Sequence, residues 1–148
     1  QGSGAGLRIR SVVLRDEFLK GGELQRLVLA FAYLQTIQIA QSVLCNSAHE
    51  IESRLARWLL FSADRMESEE LQLTQEFLSQ MLGVQRTSVT VAASTLQRAG
   101  MIEYSRGRIR ISDRPLLRRA ACECYEVVCE AYDRLLKTRD EINLRYVW

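Results

Sequence analysis

The arginines of this 148-residue chain are unevenly placed, and their placement bounds the chemistry. Residues 86–119 hold 8 Lys+Arg against 2 Asp+Glu, whereas residues 1–85 hold 8 against 10 and residues 120–148 hold 4 against 6. A local cationic excess of this kind suits phosphate binding, because each neutralised phosphate releases condensed counterions. The plainer reading of the same charge is a solvated basic face. The second reactive set is Cys45, Cys122, Cys124 and Cys129. On a helix the step from Cys122 to Cys124 turns the side chain by about 200°, so the two would face opposite ways and could not share a tetrahedral metal. Only Cys122 and Cys129, seven apart, would lie on one side, so the thiols are expected to be buried and reduced, with no metal and no cofactor. There is one histidine, His49, no HExxH, no glycine-rich phosphate loop and no nucleophile spaced to a base. These absences argue against an enzyme and leave His49 as a surface or hinge residue.

The elements that must position these groups are those of about one globular domain. A hydrophobic share of 47%, eight Gly and the single Pro115 argue against disorder or a linker-like chain. The stretch from Leu27 to His49 carries no Asp, Glu, Lys or Arg. Gln35, Thr36, Gln38, Gln41, Ser42 and Asn46 interrupt it with groups costly in hydrocarbon, so it reads as a buried helix of a soluble protein rather than a membrane span. No basic region with an apolar run and cleavage site opens the chain, and cytoplasm is the expected location.

Residues 1–6 are small and turn-forming, Leu7 to Val13 alternates as a short strand would, and Leu14 to Lys20 reads as a short helix stopped by Gly21-Gly22. From Glu23 to Cys45 the pattern is helical. Leu27, Ala30, Leu34, Ile37, Gln41 and Leu44 follow steps of three and four, a heptad seam, while Val28, Phe31, Ala32, Ile39 and Val43 make a second apolar face. The expectation is a coiled-coil contact with a second copy along the seam, Gln41 helping to fix its register, and the other face packed on the chain itself. A central helix of a monomeric bundle is the alternative. Asn46-Ser47 is expected to break the run, with Ser47 and Glu50 as a capping box for a helix through Ile51, Leu55, Trp58, Leu59 and Phe61. The acidic patch from Asp64 to Glu70 reads as a solvated loop.

Thr74 is a good N-cap for a helix ending at Gly83, and the segment from Gln85 closes at Gly100. Leu78, Leu82, Val84, Val89, Ala93 and Leu96 fall where two crossed helices need apolar contacts, which is a helix-turn-helix. Thr87 to Val91 alone would favour a strand, but the flanking caps and glycines outweigh that local propensity. Met101 to Tyr104 and Arg108 to Ile111 alternate around Ser105-Arg106-Gly107, a β-hairpin with a basic tip. Asp113 then caps a helix with Pro115 in its first turn, running to about Lys137. The expected fold is mainly α with a small β-hairpin: a long dimerisation helix followed by a winged helix-turn-helix domain.

Ser53 to Leu60, Leu73 to Leu78, Gly83 to Thr90, and Leu96 to Ile102 with the Ser105-Arg106-Gly107 wing together resemble the C-terminal half of Crp/Fnr-type bacterial transcription regulators. The resemblance implies a remnant of an N-terminal cyclic-nucleotide-binding-like effector domain at 1–22 and a dimerisation helix at 23–46. It implies a winged helix-turn-helix DNA-binding domain with a C-terminal helix at 47–137, and an extension at 138–148. It puts Arg86, Thr87 and Val91 where the family reads base edges, with Thr90 on the same exposed side. Thr74, Gln75, Ser88, Arg106 and Arg108 are implied as phosphate contacts. Arg86 suits a guanine, whose O6 and N7 a guanidinium bonds bidentately, while a methyl of Thr87 or Val91 suits a thymine. Val91 departs from the polar or basic residue common in the family, and Thr87 from a common Glu. Ile39 and Ala40 stand where cyclic-AMP-responsive members offer hydroxyls, which argues against that ligand. The function implied is sequence-specific regulation of transcription by a homodimer on double-stranded DNA, with RNA polymerase as a candidate further partner. A protein-interaction winged helix, or a redox sensor built on Cys122, Cys124 and Cys129, is the alternative.

Overall fold

The computed structural model describes residues 6–137; residues 1–5 and the extension read at 138–148 lie outside the described residues. In chain order the elements are α1 (Ser11–Leu19), α2 (Glu23–Ala48), α3 (Ile51–Met66), β1 (Glu70–Gln72), α4 (Gln75–Leu82), α5 (Arg86–Arg98), β2 (Ile102–Ser105), β3 (Arg108–Ile111), α6 (Arg114–Ala120) and α7 (Cys124–Lys137). The fold is mainly α with a small antiparallel sheet in the order β1-β3-β2.

α3 is the hub. Its Leu55, Ala56, Leu59, Leu60 and Ala63 are buried, and it touches α4, α5, α6, α7 and β1. Leu78 and Leu82 of α4 and Val89, Ala92, Ala93 and Leu96 of α5 close the core from one side. Ile102, Ile109 and Ile111 of the sheet and Leu117, Tyr125 and Val128 of the last two helices complete it. The β-branched run at Thr87–Val91 is helical, because Val89 has to face this core and the turn at Gly83 directs it there.

Four local expectations are corrected. Leu7 to Val13 forms no strand: residues 6–10 are irregular and the helix begins at Ser11, since no neighbouring strand is there to accept its hydrogen bonds. α2 continues through Asn46 and Ser47 to Ala48, and the Ser47 hydroxyl donates back to the Leu44 carbonyl (2.9 Å) instead of capping α3. The acidic patch is only partly a loop: Asp64 lies in the last turn of α3, residues 67–69 form the link, and Glu70 to Gln72 pair with Arg108 to Arg110 as β1. Finally, Asp113 caps α6 as expected, accepting from Leu116 N (2.8 Å), but the helix stops at Ala120 and restarts at Cys124.

That break overturns the cysteine argument, which assumed one continuous helix. Cys122 precedes α7, so Cys122 and Cys124 both turn toward the end of α2, where Cys45 lies. The Sγ atoms of Cys45 and Cys122 are 3.4 Å apart. The thiols are free and, apart from the half-buried Cys129, buried. Burial pushes Cys45 upward and Cys122 up to about 12, so neither is a thiolate at neutral pH on its own.

α2 is also turned differently from the expected seam. Of Leu27, Ala30, Leu34, Ile37, Gln41 and Leu44 only Leu44 is exposed, and Leu34 retains 4% of its surface. α1 and α7 pack on this side. Within the chain only Leu34 and Cys45 of α2 are buried, so the helix is not the buried one expected. Its length and composition would allow a membrane span, but its inner side is taken by protein. Gln38 accepts from Arg65 of α3 (2.6 Å), and Gln41 donates to Cys124 of α7 (3.1 Å). Periodicity could not assign the two apolar faces, because α7 returns from 80 residues further along to cover one of them.

Leu59, wholly buried at the centre of α3, gives a direct check on the hub. Leu59→Ala is expected to cost about 2–5 kcal/mol, read as a lower midpoint in denaturant unfolding with an unchanged slope.

Candidate nucleic-acid interface

Three elements converge on one surface. Thr74 ends the strand-to-helix link in extended backbone and its hydroxyl accepts from Phe77 N (3.1 Å), which starts α4. Gly83 ends α4 with φ +63°, a conformation that would strain a side chain, and this lets α5 leave at once across α4. The sheet supplies the third element. β2 and β3 meet at Arg106 and Gly107, both with positive φ, the two-residue turn whose twist suits a hairpin.

α5 buries Val89, Ala92, Ala93 and Leu96, so its other side must face out. Arg86, Thr87, Thr90 and Val91 are all exposed there, Val91 at 61%, and Ser94 extends the stripe. Ser88 is only half-exposed, turned toward the flank of the helix.

Gln75 joins the two helices. Its Oε1 lies 3.0 Å from the Thr90 hydroxyl and 3.4 Å from Arg86 Nε. Thr90 is also 3.1 Å from the Arg86 carbonyl, and its single proton serves one acceptor at a time. With Nε engaged, Arg86 is steadied on an exposed side of the helix. The hairpin is anchored to the same place. The Tyr104 N–H donates to Gln97 Oε1 (3.2 Å), and Leu73 N–H donates to the Gly107 carbonyl (2.8 Å). Thr74 Cγ2 lies against Gly107, so Thr74 and the wing tip are adjacent. The Tyr104 hydroxyl is raised by burial, against the opposing pull of the Gln75 backbone N–H and the Arg86 charge. Gln97 and Tyr104 thus hold the wing on α5. Sequence alone did not single them out, since neither carries a local signal for a contact seven residues away.

The cationic excess is sorted by partner. Arg110 pairs with Glu103, Arg114 with Asp64 and Glu69, and Arg118 with Glu126. Among the described residues, Arg86, Arg98, Arg106, Arg108 and Arg119 have no carboxylate partner within ion-pair distance. The first of these and the two wing arginines lie on the converging surface, all exposed. Arg106 holds φ +50°, a strained choice outside glycine that keeps a cation at the very tip.

Two crossed helices joined at a glycine turn, with a hairpin held beside the second, define a winged helix-turn-helix. Residues 53–120 match the Crp-like helix-turn-helix domain. The same arrangement occurs in a protein from Eubacterium rectale described as a transcriptional regulator of the Crp/Fnr family. It is 21% identical, with a TM-score of 0.56 over 70% of this chain and 49% of that one. A CRP-family transcriptional regulator from Thermus thermophilus is 26% identical, with a TM-score of 0.53 over 59% of this chain and 48% of its own. This chain therefore spans about half the length of these solved relatives. No curated protein matches it.

The cap at Thr74 offers a test of how α4 is held. Thr74→Ala is expected to remove about 1 kcal/mol of stability. Hydrogen exchange should show the Phe77 amide losing protection first, whereas unchanged protection at Phe77 would mean that the cap does not hold the helix.

Proposed function

We propose that this chain is the dimerising, DNA-binding part of a transcription regulator. The observation that carries the proposal is the exposed stripe Arg86, Thr87, Thr90 and Val91 beside a wing tip whose Arg106 and Arg108 have no carboxylate partner among the described residues. In this reading α5 enters the major groove. Arg86 bonds a guanine edge, its approach fixed by Gln75, while the methyl groups of Thr87, Thr90 and Val91 favour thymine. Thr74, Gln75, Ser88, Arg106 and Arg108 meet phosphates, which set register and orientation without reading sequence. Thr74, exposed and with its Cγ2 beside Gly107, would extend the wing tip into one strand-gripping edge. In this reading the module is a binder, not an enzyme, and works in the cytoplasm.

The dimer reading carries over, with the face exchanged. Leu29, Ala32, Thr36, Ile39 and Val43 follow steps of three and four along the exposed side of α2, and Leu29, Ile39 and Val43 retain 56%, 62% and 67% of their surface. A regular seam without charge, outside the protein's own core, is suited to a second copy of itself. Two copies joined there would present two α5 helices to grooves about 34 Å apart, so the target is an inverted repeat. RNA polymerase is a further partner that such a bound dimer would meet.

Selection of bound duplexes from a random pool tests activity, symmetry and spacing together; recovery of unrelated sequences would rule the reading out. Arg86→Ala is expected to cost about 1–3 kcal/mol and relax preference at one base pair, while Arg106→Ala weakens all sequences alike and lowers the salt slope by about one. An unchanged ratio of target to random binding in Arg86→Ala would remove the base-reading role. Ile39→Glu with Val43→Glu should give monomers by light scattering without unfolding, and an intact dimer would move the seam elsewhere.

A further inference from the structure

Away from the DNA-facing surface, four groups with metal-ligand chemistry meet where α2, α3 and α7 come together. The ligand atoms of Cys45, His49, Cys122 and Cys124 all lie within 4.8 Å of one another. Cys45 Sγ and Cys122 Sγ are 3.4 Å apart, and Cys124 Sγ is 3.5 Å from His49 Nδ1. We propose that Cys45, His49, Cys122 and Cys124 form a tetrahedral site for a single zinc-class divalent ion, which fastens the start of α7 to the corner between α2 and α3.

The geometry is that of one ion rather than of a disulfide with bystanders. Bonds of about 2.3 Å to sulfur and 2.0 Å to nitrogen set tetrahedral ligand atoms about 3.5–3.8 Å apart. The Cys45–Cys122 and Cys124–His49 pairs lie near that edge, and a shift of about 1 Å or less brings every pair of donors to it. A Cys45–Cys122 disulfide would use two of the four groups and leave unexplained why Cys124 and His49 converge on them.

The surroundings suit the ion as well. His49 presents Nδ1 to the cluster and Nε2 to Glu123 Oε1 at 3.0 Å. A carboxylate on the far nitrogen fixes the tautomer that leaves Nδ1 free to ligate. Gln41 Nε2–H donates to Cys124 Sγ (3.1 Å), which suits a thiolate. Three thiolates and one imidazole around a divalent ion carry one net negative charge. Arg57 of α3 is 4% exposed, acts on Cys45 through its charge, and has a buried Nε without a hydrogen-bond partner. It supplies the offsetting positive charge. Binding exchanges the thiol protons for the ion, so no oxidant is needed.

The site rests on no part of the DNA reading, and its test does not involve DNA. The full chain, reduced and stripped with chelator, is titrated with Zn2+ alone and, separately, with Co2+. One ion per chain is expected, and the Co2+ form should show thiolate-to-metal charge-transfer absorption and the strong visible bands of a tetrahedral site. Glu123→Gln, which keeps all four ligands and sits on the surface, should weaken binding by about 10-fold or more. Cys45→Ser with Cys124→Ser should abolish it, His49→Cys should retain it, and Cys129→Ser should leave it unchanged. Circular dichroism checks that each variant folds; should the double cysteine variant not fold, Glu123→Gln and His49→Cys still decide. No stoichiometric binding by the reduced chain would overturn the site, as would binding indifferent to Glu123→Gln and to the cysteine pair. A Cys45–Cys122 disulfide in a chain that takes up no ion after reduction would replace it with a redox pair.

Discussion

Everything in this fold follows from covering one side of α3. An amphipathic helix with Leu55, Ala56, Leu59, Leu60 and Ala63 along one flank has to bury that flank, and α4, α5, α6, α7 and β1 all do so. The exposed side of α5 is therefore set from behind. Val89, Ala92, Ala93 and Leu96 are locked into the core, and the opposite side of the helix has no choice of direction. A surface built this way is rigid, because its orientation is fixed by close packing and not by flexible loops.

Electrostatics then divides the molecule. Exposed ion pairs contribute little to stability, since screening and side-chain entropy offset most of the attraction. Their effect here is on the field. The pairs of Arg110, Arg114 and Arg118 cancel charge on the body of the domain, and Asp64 and Glu69 are drawn to Arg114 instead of repelling a polyanion elsewhere. What is left uncancelled at Arg86, Arg106 and Arg108 lies on the surface where α4, α5 and the wing meet. The segment count of charges points to this stretch, but only the partners reveal which arginines keep their charge to themselves.

That contrast describes what the sequence reveals in general. The helix-turn-helix and hairpin are legible because their signals are local: the Thr74 cap, the αL glycine at 83, the Gly100 stop and the turn glycine at 107 each act within a few residues. The failures at β1, at Leu7 to Val13 and in α2's faces are nonlocal. β1 is three residues with no period of its own, and it is a strand because β3 offers it hydrogen bonds. Leu7 to Val13 alternates as well as any strand and has no partner. The two apolar faces of α2 were both visible, but which one turns inward depends on α7, and α7 was hidden inside an apparently unbroken helix from Asp113. The same missed break concealed the meeting of the cysteines, since a spacing argument is only as good as the element it assumes.

Arg54 shows how the long helix and the reading head are physically joined. It is 8% exposed, donates to Asn46 Oδ1 on α2 at 2.9 Å, and also donates to the Leu82 carbonyl at the end of α4. That carbonyl belongs to the last turn of α4, just before Gly83, where helix geometry leaves it without an intrahelical partner. One guanidinium thus satisfies an orphan acceptor in the helix-turn-helix and a side chain on α2. Moving α2 away from α3 would strip Arg54 of one of these bonds, in a place where its Nε already has none. Leaving a buried cation short of partners is costly, whereas carrying α4 along with α2 is not. One buried side chain therefore ties α2, α3 and the last turn of α4 together at this corner.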